Sequence, residues 1–477
     1  MKKLILLLLF IPLVSFGQDK KSTNKIITDS FVENYNSEDY KAIFLMFSDE
    51  MKDALPINKT SEFFTTLNLQ VGNIVNREFV KYENASYASY KTTFERAVLK
   101  LNISIDNNQK INGLFVKPFV DEVLSKNAIN NLSIKEILIS KNQTKLIFEK
   151  SKFFPNQTQI SIAFIKNGDI SYYGIKRQND TISIFDNYKS IFEIGSITKV
   201  FTSNLLANFI VNKKIKLNDN INDYLNIPFR NNTLISFKSL SNHTSGLPRL
   251  PTNLDLEKVN PKNPYKEYEK ADLENYLTES IELTENLIGK YLYSNLGAGL
   301  IGYTLSEIEN LSYERLFNTL IFSKYNMLNS TFNHNELNEV LVRGLDAQGN
   351  EVPNWELSVL ASAGGILSNV EDLAKYGIAQ FDTSNKELEL TRQKTFKLNE
   401  NMDIGLGWHI IKSKSNNQWY WHNGGTGGYS SSMSIDVKNK NGIIILSNVS
   451  AFNPSMENID KLCFELMETL TKNNSKL

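Results

Sequence analysis

Alternating apolar residues return at the two ends of one long segment of this chain, and that return limits the folds open to it. Residues 159–165 and 170–175 alternate as strands around a Lys166-Asn-Gly-Asp169 turn. Strands are expected again at 405–411, 418–422, 430–437 and 442–448. Between these blocks, roughly 196–380, the pattern is mostly helix and loop. Strands at both ends of a helical insert predict one sheet built from both ends, followed by an amphipathic helix at about 456–471. Together these elements make a domain over 155–472.

A different pattern precedes it. From Ile26 apolar residues recur at three and four, through Phe31, Tyr35, Tyr40, Ile43, Phe44 and Phe47, until Pro56 and Asn58 break the run. A second short helix is expected at about 62–69. The period then changes to two over 87–94 and at Leu99, Leu101, Ile103 and Ile105. Asp106-Asn-Asn108 makes a turn, and 111–116 returns as a third strand. Helices followed by a curved antiparallel sheet predict a small α+β domain at 26–120, with 121–154 as a connection.

With 477 residues the chain exceeds one ordinary core and suffices for two domains. Its 52 basic and 52 acidic residues leave no excess to hold a nucleic acid backbone, and that class is set aside. Lys2 and Lys3 precede an apolar run at 4–14, and Ser15-Phe-Gly17 supplies small residues where a signal peptidase reads. This predicts a signal peptide over 1–17 and a flexible polar segment at 18–25, hence a periplasmic or extracellular protein. The run is too short to span hydrocarbon and Pro12 interrupts it, so no transmembrane anchor is expected. Cys463 is the only cysteine, which rules out an intrachain disulfide and places it in the apolar face of the last helix. Histidines at 243, 334, 409 and 422 show no metal-ligand spacing; neither metal nor organic cofactor is expected.

Phe192-Glu-Ile-Gly-Ser-Ile-Thr-Lys-Val-Phe201 opens a helix whose apolar face continues through Leu205, Leu206, Phe209 and Ile210. Ser196 falls in its first turn, where unpaired N–H groups and the helix dipole favour negative charge. A serine hydroxyl is a poor nucleophile at neutral pH unless a neighbour takes its proton. Lys199, three residues on, lies on the same helix face. Isolated matches carry little weight. Ser22-Thr-Asn-Lys25 has the same spacing, Tyr82-Glu-Asn84 and Tyr224-Leu-Asn226 repeat a second element, and a serine cap with a solvated lysine explains any one match. The set Ser196-Ile-Thr-Lys199, Tyr293-Ser-Asn295 and His422-Asn-Gly424 has all three elements in order.

With Ser241-Asn-His-Thr-Ser-Gly-Leu-Pro248, Ser362-Ala-Gly-Gly365, Asp372-Leu-Ala-Lys375 and Thr426-Gly-Gly-Tyr429, these motifs make the chain from about 155 to 472 resemble the serine β-lactamase and penicillin-binding-protein superfamily, in its class C-like branch. The resemblance implies an α+β, β-lactamase/transpeptidase-like fold: an antiparallel sheet flanked by helices, a helical subdomain alongside, and the site between them. It implies Ser196 as acylated nucleophile, Lys199 as its base and Tyr293 as the proton carrier to the leaving group. Asn295 would hold Lys199 and the substrate amide, and the N–H groups of Ser196 and Gly425 would form the oxyanion hole. His422, with Asn423 and Gly424, stands where class C enzymes carry Lys-Thr-Gly on the strand lining the site. The 26–120 domain resembles cone-shaped nuclear-transport-factor-2-like modules in element order and length, with a spacer or ligand-binding role.

The departure at His422 bears on substrate. Lysine and threonine there help bind a carboxylate, whereas a histidine of ordinary pKa near ~6.5 is mostly neutral at pH 7. The expectation is an exported serine hydrolase of small-molecule or peptide substrates, cell-wall derived among them. It would act on peptide, amide or ester bonds in the manner of a D-amino-acid peptidase or esterase, with slow acylation by β-lactams left open. A true β-lactamase and a non-catalytic sensor of penicillin or cell-wall fragments are the alternatives. Elsewhere, His243 is read as structural, Trp408 and His409 as core packing, and Tyr429 as pocket wall or sheet packing.

Overall fold

The computed structural model describes residues 19–83, 87–119, 122–132, 139–256, 258–337 and 340–471. The signal peptide expected at 1–17 lies outside the described residues. The chain divides into two compact units, one running to Glu122 with Phe452–Ser455 and the other starting at Val123. No described helix is long and apolar enough to cross a membrane.

The first unit is a small α+β module. Helices Asp19–Asn36, Tyr40–Leu45, Asp49–Ala54 and Ile57–Val71 precede strands Ile74–Glu83, Tyr87–Phe94, Val98–Ile105 and Ile111–Pro118, which pair antiparallel in chain order. Side-chain caps divide the helices: Asp39 accepts from Ala42 N and Ser48 from Met51 N. Phe31, Tyr35, Ile43 and Phe64 pack with Tyr90, Leu101 and Ile103 in one core.

Three expectations change here. Residues 19–25, read as flexible, belong to the first helix, where Thr28 Oγ1 donates to Asn24 O at 2.6 Å and Lys25 pairs with Asp29 at 3.0 Å. Pro56 starts the fourth helix rather than breaking a pattern, because its missing N–H is no loss at a helix start. Strand Ile74–Glu83 escaped notice because it carries exposed Val75, Phe79, Val80 and Tyr82, and two register shifts disturb its alternation.

The second unit is built on a ten-stranded sheet. Its order is Phe396–Asn399, Met402–Ile404, His409–Lys412, Gln418–Gly425, Ser430–Asp436, Asn441–Ser447, Gln159–Lys166, Asp169–Gln178, Thr181–Ile184 and Ile129–Asn131. Strands from both ends of the segment do meet, Asn441–Ser447 pairing antiparallel with Gln159–Lys166. The hairpin at Asn167 (φ 54°) and Gly168 (φ 92°) uses two left-handed residues, the turn whose twist suits adjacent strands. In the run Ile443–Leu446, alternate residues enter two cores. Ile444 and Leu446 join Val200, Phe201 and Tyr376; Ile443 and Ile445 join Leu462, Cys463 and Leu466 of helix Glu457–Thr471. Helices on both faces explain why this strand is apolar without interruption.

From Val123 on, the connection expected at 121–154 belongs to this unit. Ile129–Asn131 is its edge strand, and Ile139, Ile147 and Phe154 lie in the core beneath the terminal helix. Arg177, 2% exposed, fixes the segment by donating to the carbonyls of Lys152, Phe154 and Leu124 and to Asp180 Oδ1. The strand expected at 405–411 begins only at His409, after Gly405-Leu-Gly407. Gly407 sits at φ +72°, and a Cβ there would lie 2.7 Å from Lys199 O, so the chain bends against the nucleophile's helix. Arg177→Ala orphans three carbonyls around a buried site, and urea unfolding should show a loss of about 3 kcal/mol or more. A loss below about 1 kcal/mol would contradict this account of the connection.

Candidate active site

Strand Phe192–Glu193 delivers the chain to a single 3-10 turn, Gly195–Ile197, which continues into helix Thr198–Val211. Gly195 has φ +52°, and a Cβ there would lie 2.6 Å from Gly425 N. A side chain at Gly424 would meet Ile194 O at 2.0 Å. Bare glycines on both sides let strand Gln418–Gly425 close on the turn that carries Ser196. One helical turn on, Lys199 is 2% exposed. Its Nζ lies 3.0 Å from Ser196 Oγ, 2.9 Å from Asn295 Oδ1 and 2.6 Å from Ala363 O.

The Tyr293-Ser-Asn295 segment is held by the 241–249 loop. Ser294 N donates to His243 Nδ1 at 3.2 Å, Leu292 N to His243 O, and Ser294 Oγ to Pro248 O at 2.7 Å. Asn295 N and Leu296 N both donate to Arg249 O, at 2.9 and 3.1 Å. Ser294 also caps helix Asn295–Glu309 by accepting from Gly297 N. The His243 ring packs 4.5 Å from the Tyr293 ring, and the Ser196 side chain is near enough to the Tyr293 hydroxyl to ease its loss of a proton. His243 is therefore a positioning residue, in line with its structural reading.

On strand Gln418–Gly425, His422 faces the site, its ring 6.4 Å from Tyr293. Its Nδ1 lies 2.6 Å from Asn423 O, which requires the proton on Nδ1. Nε2 is then a buried lone pair, and it has no partner among the described residues. Asn423 goes elsewhere. Its Nδ2 donates to Asp460 Oδ2 at 2.7 Å on the terminal helix, because successive strand residues face opposite ways. The structure thus gathers Ser196, Lys199, Tyr293, Asn295, His422, Gly424 and Gly425, while the Asn423 side chain stands outside the group. Tyr429 packs into the sheet and donates to Val342 O.

The Beta-lactamase family model matches residues 159–465, well over half of the chain and all of this geometry. The chain belongs to the Beta-lactamase family. A second family model, a protein of unknown function (DUF3887), matches residues 28–114. A beta-lactamase of Pseudomonas fluorescens is 26% identical over 263 residues, 53% of this chain and 69% of that protein. One from Providencia stuartii is 28% identical over 227 residues, 46% of this chain but only 54% of its own length. The solved beta-lactamase/D-alanine carboxypeptidase from Yersinia pestis superposes with a TM-score of 0.57 at 20% identity, covering 70% of this chain and all of that one. That likeness establishes the fold, and the family makes the chain a β-lactamase-related serine hydrolase.

In this family member the electrostatics of the site follow from burial. Burial, with the Arg249 guanidinium beside it, pushes the Lys199 amine well below the ordinary lysine range. No carboxylate among the described residues pairs with it, so an ammonium would be a buried, uncompensated charge. A neutral amine has two N–H bonds. Asn295 Oδ1 and Ala363 O take both, which turns the lone pair to the Ser196 hydroxyl. Burial raises Tyr293, against Arg249 and Ser196, so it stays a phenol at neutral pH. Burial also lowers His422 and His243 far below their usual values and takes His409 to about 4.

Four contributors were not legible as site residues. Ala363 supplies a carbonyl, and Arg249 lies one residue past the quoted motif, with Cζ 5.3 Å from the Tyr293 ring. His409 leaves the core to meet Tyr291 Oη at 3.1 Å, and its ring is 5.3 Å from that of His422. Glu193 accepts from Asn354 Nδ2 and Trp355 N at one oxygen, and burial raises it to about 7.

Glu193 generates a pH prediction. The folded chain keeps this proton up to about 7, whereas the unfolded chain releases it near 4.5, so stability falls as pH rises through that window. Glu193→Gln preserves both hydrogen bonds without the charge. Between about pH 5 and about pH 8 the wild-type Tm should fall several degrees more than that of E193Q. Parallel falls in both proteins would contradict it.

Proposed function

We propose that this chain is an exported serine hydrolase that forms an acyl-enzyme on Ser196 and opens ester, amide or peptide bonds, in the manner of a D-amino-acid peptidase or esterase. The observation that carries this reading is the buried Lys199 amine, with Ser196 Oγ at 3.0 Å, Asn295 Oδ1 at 2.9 Å and Ala363 O at 2.6 Å. Lys199 takes the serine proton as Ser196 Oγ bonds to the substrate carbonyl carbon. The resulting oxyanion is placed between the N–H groups of Ser196 and Gly425, whose backbones the glycine contacts bring together. Tyr293, whose ring lies 4.9 Å from Lys199 Nζ, passes a proton to the departing alcohol or amine and is reprotonated from Lys199. Water then replaces the leaving group, gives its proton back through the same pair and frees the acid.

His422 sets the substrate side. Its unpartnered Nε2 lone pair suits an N–H or O–H donor and repels a carboxylate, the group a lysine at this place would hold. That supports a peptidase or esterase over an efficient β-lactamase. Asn423 contributes through strand backbone, since its amide is engaged by Asp460. Export rests on Lys2, Lys3 and the short apolar run at 4–14.

The test is intact mass over time after mixing the mature protein with a fluorophosphonate probe and, separately, a penicillin. The account expects rapid phosphonylation on Ser196, none in Ser196→Ala, and slow or persistent penicilloylation. No adduct with either reagent would sink the active serine. Transient penicilloylation with rapid loss of drug would overturn the substrate preference and make the chain a true β-lactamase.

A further inference from the structure

The site contains a cation that the reaction above does not use. Arg249 is exposed, and no carboxylate among the described residues pairs with it. Its guanidinium stands over the Tyr293 ring at 5.3 Å. Its charge reaches Lys199, Tyr293, Tyr291 and Tyr265, which places it on the open side of the nucleophile's surroundings. An unpaired guanidinium beside a catalytic lysine is unfavourable for the free protein, and an anion arriving there would relieve it.

The position is built rather than incidental. The N–H groups of Asn295 and Leu296 bind the Arg249 carbonyl, and Ser294 Oγ binds the carbonyl just before it. The same residues that place Tyr293 therefore place the Arg249 backbone. Beyond it, Tyr265 packs against Trp355 at 5.2 Å, and the Trp355 indole lies against Gly427, two residues past Gly425. Arginine and aromatic rings so arranged offer a flat carboxylate a bidentate partner with apolar walls. Neither of the other basic groups can serve. Lys199 is buried with both N–H bonds engaged, and His422 presents a lone pair.

We propose that Arg249 is the specificity residue of this site and selects substrates that carry a carboxylate close to the scissile bond, bound over Tyr293 instead of at His422. This rests on the serine hydrolase reading, and the experiment separates the two. Two pairs of esters are compared: the 4-nitrophenyl monoester of glutaric acid with its methyl ester, and 4-acetoxybenzoate with its methyl ester. Within each pair only the carboxylate differs, on the acyl side in the first and on the leaving group in the second. The readout is the ratio of kcat/KM for charged over neutral ester. Any effect of Arg249 on Lys199 is common to both members and cancels.

In at least one pair the wild-type ratio should exceed one, fall about tenfold or more in R249A, fall less in R249K, which keeps the charge but loses the bidentate fork, and drop further in R249E. The pair that responds tells which side of the bond carries the anion. Ratios that stay within about twofold across wild type, R249A and R249E in both pairs would overturn the proposal. Binding to Ser196→Ala with and without R249A, by calorimetry with the same esters, gives the contrast as Kd without catalysis. Fluorophosphonate labelling with no charge preference defeats Arg249 alone, whereas failure to label Ser196 defeats the hydrolase reading.

Discussion

A primary amine kept neutral inside the protein is the constraint on which this site depends. Lys199 sits on a helix that is buried almost throughout, meets no carboxylate among the described residues, and has Arg249 nearby. Each of those facts disfavours its ammonium form. The fold supplies them together: the helix passes between the strands from both ends of the segment and the 358–366 turn that presents the Ala363 carbonyl. Tyr293, raised by the same burial, is left as a proton donor. Base and acid are thus set apart by environment and not by residue type.

The third motif shows how one residue type redirects a scaffold. The glycines at 424 and 425 are required by contacts with Ile194 and Gly195, whatever the substrate. His422 is not so constrained, and its tautomer, fixed by the Asn423 carbonyl, turns an acceptor toward the site. Charge recognition is then free to shift to Arg249, on a loop that the second motif itself anchors.

Much of this was legible in the sequence wherever a local rule had local consequences. The two-ended sheet followed from strand-like runs at both ends of the segment, the 166–169 hairpin from Asn-Gly, and the nucleophile from three motifs in order. Alternation along the strand also held the sign that Asn423 faces away from His422 and Gly424, though the motif was read as a block. What stayed hidden depends on distant partners. Nothing local ties 122–154 to the second unit; a buried Arg177, far along the chain, does. His409 reads as core until cross-strand pairing sets it beside Trp421, next to His422. The edge strand Ile74–Glu83 lost its period to two register shifts.

The most direct measurement is the pH dependence of the second-order rate of Ser196 phosphonylation by a fluorophosphonate, followed by intact mass. A Lys199 amine held well below the ordinary lysine range predicts a rate that levels off well before an ordinary lysine would lose its proton, and that falls on the acid side as the amine takes one up. A rate that climbs about tenfold per pH unit through pH 9, toward the ordinary lysine pKa near ~10.4, would show a charged amine at neutral pH and contradict the account.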